Sequence, residues 1–185
     1  MPTYIIEHLE EKVWKWCTIE YKHISQIVGR QNLLITNIKD NSLKSIATKK
    51  ESVTTLDLRN ACVLDPDAKK TLTPEEAKNF NFFIFGGILG DFPPQKRTTP
   101  ELTSKLKNAE ARNLGNAQMS TDTAVYVVKQ IVEGKKLSDL TFQHEIEIKL
   151  GKNESTILPY NYIIKNKKPF ISKELVNYLK KKKGF

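Results

Sequence analysis

The chain is poor in the residues that build metal and disulfide sites. It has two cysteines and three histidines in 185 residues. Cys17 and Cys62 both lie in apolar surroundings and neither belongs to a Cys-x-x-Cys pair. Free buried thiols in a reducing compartment are therefore expected, which suits a cytoplasmic protein. His8, His23 and His144 are scattered, with no ligand spacing to cysteine or aspartate, so no metal site is expected. No apolar run approaches the length of a membrane-spanning helix. The opening "MPTYIIEHLEE" lacks the basic and apolar regions of a signal peptide.

Two phosphate-binding patterns are also missing. A phosphate loop needs lysine after its second glycine, and here Asp91 follows Gly90. A dinucleotide fingerprint needs glycine where Phe85 stands, and a helix where Pro93 and Pro94 intervene.

What is present is basic charge and a regular alternation of elements. The net charge is +9, and a protein of this size and charge often meets nucleic acid or a nucleic-acid-rich particle. Much of the excess lies in the lysines at 180–183, which a solvated terminal helix explains equally well. The length fits one domain, residues 1–185, ending in a lysine-rich helix at 172–185.

Strand signals occur in "TYIIEH", "NLLITNI", "ACVL", "FNFFIF", "EARNLG" and "FQHEIEIKL". The last alternates Phe142, His144, Ile146, Ile148 and Leu150 with polar residues, as a half-exposed edge strand does. Helix signals fall between most of them. Val13, Cys17, Tyr21, Ile24 and Val28 recur at helical spacing before Gly29. Thr73-Pro74 with Glu76, Thr99-Pro100 with Glu101, and Ser120 each mark a helix start. A short helix is expected in the polar stretch 41–56, and a last helix from Ser172. The alternation predicts an α/β fold with a mostly parallel sheet flanked by helices.

Ligands of open α/β sheets bind beyond the carboxyl ends of the strands. Three such ends carry unusual residues: "LDPD" at 64–67, "GGILGD" at 86–91 and "NLGNAQMSTDT" at 113–123. Glycine permits close backbone approach, so the middle loop is either a turn or a grip on a ligand.

"FIFGGILGDFPPQKRT" followed by "RNLGNAQMSTDTA" resembles the SPOUT class of S-adenosylmethionine-dependent methyltransferases. The narrower likeness is to a fungal and archaeal branch that includes a protein arginine methyltransferase acting on a small-subunit ribosomal protein. "YIIEHLEE" and "ILPYNYII" fit that branch. The resemblance implies a C-terminal trefoil knot, which no composition or periodicity reveals. It also implies a methionine cofactor held by Leu64, Asp65 and Pro66, by Gly86, Gly87, Ile88, Gly90 and Asp91, and by Leu114, Gln118, Met119 and Thr123. Leu64, Ile88, Leu114 and Met119 would sandwich the adenine.

Methyl transfer to a guanidinium calls for carboxylates that orient it and accept a proton. Glu7, at the end of the first strand, and Asp91, closing the glycine loop, are the catalytic candidates. Lys96 and Arg97 are candidates for substrate contact. His8 reads as packing. The implied partner is a ribosomal protein, with the arginine branch acting as a monomer. An RNA methyltransferase, acting on rRNA or tRNA, is the alternative that the positive charge favours. A binding protein that lost the chemistry is the third, and the intact loops speak against it.

Overall fold

A computed structural model describes residues 1–39, 43, 45–90, 93 and 95–182. Six strands form the main sheet: β1 (Thr3–His8), β2 (Leu33–Thr36), β3 (Ala47–Thr48), β4 (Ala61–Leu64), β5 (Phe82–Gly87) and β6 (Ala109–Arg112). All pairings in it are parallel, in the order β3-β2-β1-β5-β4-β6. The helices are α1 (Lys15–Val28), α2 (Pro74–Ala77), α3 (Thr98–Glu101), α4 (Thr121–Val132) and α5 (Lys173–Lys182). The expected mostly parallel α/β sheet is present.

β1, β4 and β5 are covered on both faces, which is why they read as unbroken apolar runs. The two-residue period splits them cleanly. Tyr4, Ile6, Cys62, Leu64, Phe83 and Phe85 join Cys17, Tyr21 and Ile24 of α1 and Val125, Val128 and Ile131 of α4. Ile5, Ala61, Val63 and Ile84 face the other way, onto Val53 and Leu102. Short turns cover that second face: 3-10 turns at Val53–Thr55 and Thr103–Lys105, with α3 between strands β5 and β6. Within the stretch 41–56, the described residues form β3 and the Val53–Thr55 turn, not an α-helix.

A second sheet is antiparallel: β7 (Phe142–Lys149), β8 (Ser155–Lys165) and β9 (Lys168–Pro169), with β8 in the middle. Ile146, Ile148, Leu158, Tyr160 and Tyr162 pack on Ile19 of α1 and on Leu175 and Leu179 of α5. β7 is an edge strand, as its alternation predicts, but His144 points to solvent. The ladder slips between His144 and Ile146, and Glu145 takes φ 61°. The extra residue is on β8, where Pro159 and Tyr160 lie opposite Glu145, and the apolar alternation of β7 resumes at Ile146.

The helix starts are mixed in outcome. Thr73 caps α2, its hydroxyl accepting the Glu76 N–H at 3.3 Å, but the Glu76 carboxylate pairs with Arg112 instead of closing a capping box. Thr99 is not a cap: α3 begins at Thr98, and the Thr99 hydroxyl donates to Asp65. Ser120 precedes α4 without bonding its backbone; Asp122 accepts the Thr123 N–H instead. Ser172 accepts the Leu175 N–H and starts α5.

Cys17 and Cys62 are free and buried, and burial pushes both thiols up to about 12. Among the described residues no helix is long and apolar enough to cross a membrane. Among them, no group of three or more His, Cys, Asp or Glu residues could hold a metal ion.

Candidate active site

β4, β5 and β6 end on one edge of the sheet, and the chain beyond them encloses a pocket of about 560 Å³. That volume suits a small-molecule site. Leu64, Asp65 and Pro66 line it from the loop after β4. Gly86, Ile88 and Gly90 line it from β5 and its exit. Leu114, Gln118 and Met119 line it from the loop before α4. The three loops singled out in the sequence therefore meet at one place.

Backbone and side-chain ties fix the loops. The Asp65 N–H donates to the Arg112 carbonyl at 2.9 Å, and the Leu72 N–H to the Asn113 carbonyl at 3.0 Å. The Asp65 carboxylate accepts the hydroxyls of Thr99 and Thr103 at 2.8 and 2.7 Å, and the Asp67 N–H at 2.9 Å. Its side chain is thus a staple between the β4 loop and α3.

Two expected cofactor positions lie outside the pocket lining. Thr123 is fully buried in the first turn of α4. Gly87 ends β5 beneath α1, where a Cβ would come within 2.5 Å of the Tyr21 hydroxyl and 2.9 Å of Ile6. A side chain there would collide with α1 and β1, so helix packing by itself requires glycine. Asp91 falls outside the described residues.

The antiparallel sheet closes the pocket from above. Tyr160 of β8 lines it and donates its hydroxyl to the Gly90 carbonyl at 2.6 Å. A Cβ on residue 90 would lie 2.6 Å from the Tyr160 ring, so Gly90 lets the ring in. The next residue, Asn161, donates its N–H to the Gln118 carbonyl at 2.8 Å. One strand therefore holds two of the three loops.

The expected substrate contacts are engaged elsewhere. Lys96 reaches Asp67 at 3.1 Å at the exposed rim. Arg97 lines the pocket, but its guanidinium bonds both Glu101 oxygens at 2.7 and 3.1 Å, Glu10 at 2.9 Å and the Leu9 carbonyl at 3.2 Å. Glu10 also accepts the Leu89 N–H at 2.9 Å. Arg97 braces the loop after β5 against the loop after β1.

Glu7 is likewise a brace. It does not line the pocket and is 2% exposed. Its carboxylate accepts from the Thr36 hydroxyl, from the Ser52 hydroxyl at 2.6 Å and from the Val53 N–H at 2.9 Å. Those bonds dock the 3-10 turn on the face opposite α1. His8 packs as expected, with Nδ1 2.8 Å from the Tyr21 hydroxyl.

A third acidic residue of the pocket lining, beside Asp65 and Asp67, is Glu20 on α1. It is 6% exposed, and its carboxyl is held well above the usual glutamate range. Burial is the main cause, and the neighbouring Asp122 carboxylate adds to it. The N–H groups of Thr121 and Asp122, at the start of α4, oppose the shift. Trp16, one turn earlier on the same helix, lines the same pocket. Among the described residues, the pocket lining combines apolar side chains and backbone with the carboxyls of Glu20, Asp65 and Asp67, of which Asp65 is tied to Thr99 and Thr103 and Asp67 to Lys96.

Residues 3–184 match the family described as protein arginine N-methyltransferase SFM1-like. The chain belongs to that family. Protein arginine N-methyltransferase SFM1 of Saccharomyces cerevisiae is 33% identical over 200 residues, spanning 96% of this chain and 94% of the yeast protein. The crystal structure of yeast SFM1 complexed with SAM matches at TM-score 0.89 and 32% identity, over 98% of this chain and 91% of that one. The complex with SAH matches at TM-score 0.87 and 31% identity, over 96% and 94%. A Trm10 from Thermococcus kodakaraensis shares the fold at TM-score 0.57 and 21% identity, over 75% of this chain and 96% of its own. The architecture is that of the SPOUT class.

The residues around the pocket fit the cofactor of this SFM1-like family. Leu64, Ile88, Leu114 and Met119 offer apolar surfaces for a flat base. The Gln118 side-chain oxygen is buried with no hydrogen-bond partner among the described residues, and so is ready to accept from a ligand. Glu20 and Trp16 are the site residues the sequence reading overlooked. Glu20 lies three residues after Cys17 and four before Ile24, on the apolar stripe of its own helix. A charge on such a stripe is a signal that was available.

Proposed function

We propose that the protein methylates an arginine of a small-subunit ribosomal protein, using S-adenosylmethionine, and that Glu20 binds the guanidinium. The observation that carries this reading is the position of Glu20. The Glu20 carboxyl lies in the pocket lining beside the cofactor loops, where its ionised form attracts a cation. That sets a protein arginine ahead of RNA, in line with family membership.

S-adenosylmethionine, when bound, supplies a methyl group made electrophilic by its sulfonium. The protein's part is to place and prepare the acceptor. Glu20, in its ionised form, meets the guanidinium fork with two oxygens. Trp16, one turn before Glu20 on α1, lines the same wall of the pocket. Tyr160 and the β8 strand keep the Gly90 and Gln118 loops in register, so the acceptor nitrogen meets a fixed donor. Asp91, next to pocket-lining Gly90, stays with this proposal as a second carboxylate on sequence grounds.

The net charge of +9 supports a target embedded in an RNA-rich particle, with the pocket carboxyl supplying local attraction for arginine. A cytoplasmic location, a single domain, a monomeric state and a trefoil-knotted path around the cofactor loops belong to the same proposal. The test is incubation with methyl-labelled cofactor and small ribosomal subunits from cells lacking the enzyme. Protease-sensitive label, recovered after acid hydrolysis as methylarginine, is the expected result. Nuclease-sensitive label would replace this reading with the RNA alternative.

A further inference from the structure

Glu20 and His23 lie one turn apart on α1, and both reach Asp122, the second residue of α4. His23 Nδ1 is 2.7 Å from Asp122 Oδ2. The Asp122 N–H points to Glu20 Oε1 at 3.4 Å, so the two acidic residues adjoin. Asp122 is buried, whereas the His23 side chain keeps 11% of its surface exposed. A continuous row of three titratable groups therefore runs from the pocket wall to the outside of the α1–α4 layer.

We propose that Glu20, Asp122 and His23 form a proton exit path from the pocket to solvent. This rests on the arginine chemistry proposed above. As the acceptor nitrogen uses its electron pair to form the N–CH₃ bond, the C–S bond breaks and leaves its pair on sulfur. The nitrogen then sheds one proton, the N–H pair returns to the guanidinium system, and Glu20 takes the proton. Glu20 is left neutral and unable to hold the next arginine until that proton moves on. Asp122 receives it from Glu20, and His23 takes it on Nδ1, releases one from its other nitrogen and returns to its starting tautomer by exchange with water. Every transfer is between groups of this chain and water, and no other reagent enters.

The surroundings hold the three groups in place. Asp122 is held by the Ser120 hydroxyl at 2.7 Å and by the Thr123 N–H at 2.9 Å, so its carboxyl is fixed between the other two. Tyr162 of β8 faces the two carboxyls, and Cys17 and Tyr21 flank Glu20 on α1; burial keeps all three neutral. On the outer side His23 meets the Phe170 ring at 5.0 Å, and Lys165 lies over that ring at 4.9 Å.

His23 acts through Asp122 and Glu20, so its removal should alter the pH profile and not the binding constants. His23→Ala should lower kcat about 10- to 100-fold, less than loss of a direct proton acceptor, with KM and cofactor affinity unchanged. Added imidazole should restore part of the rate, and the alkaline shoulder of the kcat profile should move. A second readout needs no substrate. In the free protein, the ring nitrogens of His23 followed by NMR should report the titration of Glu20. Asp122→Asn, or Glu20→Gln if the former fails to fold, should abolish that second inflection. Wild-type kcat and pH profile in His23→Ala, or His23 signals blind to Glu20, would overturn the relay. If wild-type protein makes no methylarginine, the functional reading fails while the NMR result still decides whether the three groups are coupled.

Discussion

The Tyr160 hydroxyl donates to the Gly90 carbonyl at 2.6 Å and so joins the small antiparallel sheet to the loop that leaves β5. The pocket is assembled from two layers that do not share a hydrogen-bonded ladder. Removing that hydroxyl should loosen the loop without emptying the core. Tyr160→Phe should therefore weaken cofactor binding by about 1 kcal/mol, roughly fivefold in Kd. Calorimetric titration with S-adenosylmethionine checks this, with thermal stability serving as the control for folding.

Gly87 is needed for packing, which gives a different signature. Gly87→Ala should cost about 1–3 kcal/mol through overpacking against Tyr21 and Ile6. The melting temperature should fall by about 2–4 °C for each kcal/mol. Adding Tyr21→Phe removes the atom nearest the new methyl and should recover part of the loss. A stable single variant with weak cofactor binding would instead restore Gly87 to the binding loop.

Arg97 is expected to matter for shape rather than substrate charge. Arg97→Lys keeps the charge but loses the fork that spans Glu101, Glu10 and the Leu9 carbonyl. Its half-open position limits the stability loss to about 1 kcal/mol. Cofactor affinity should drop with it, because Glu10 also holds the Leu89 N–H. An effect confined to the KM for the protein substrate would mark Arg97 as a substrate contact.

The raised carboxyl of Glu20 predicts a pH dependence in the free protein. Its folded-state pKa lies above the unfolded value, so its contribution to stability is full below the usual glutamate range. That contribution is lost as pH rises through the raised folded value. Glu20→Gln should remove the loss, so the gap in melting temperature between variant and wild type should widen in the variant's favour as pH rises. Substrate affinity should move the opposite way in the wild type, improving with pH as the carboxyl ionises. A pH-independent gap would contradict the buried-acid description.

Much of this architecture was legible because buried parallel strands are apolar runs and their exits are marked by glycine and proline. "FFIFGG" and "ACVL" show both the strand and its end. The loops that meet in the pocket were legible through their residues, yet their side-chain duties were not. Glu7 finds Thr36 and Ser52 at separations of 29 and 45 residues, and Arg97 finds Glu10 at 87. No local pattern carries such pairings. β8 escaped notice as the strap over the pocket, since "ILPYNYII" says nothing about which loop Tyr160 will touch. Glu20 was the recoverable omission, a glutamate on the helical stripe it shares with Cys17 and Ile24.

The most direct test is methylarginine formation by Glu20→Gln, measured beside its cofactor affinity. The variant keeps the shape of the side chain and of the α1–α4 contact but cannot pair with a guanidinium as an anion. The expected result is a fall of about 10²- to 10⁴-fold in kcat/KM, with S-adenosylmethionine bound as in the wild type. Wild-type turnover in Glu20→Gln would contradict the account, because the arginine would then be held by some other group.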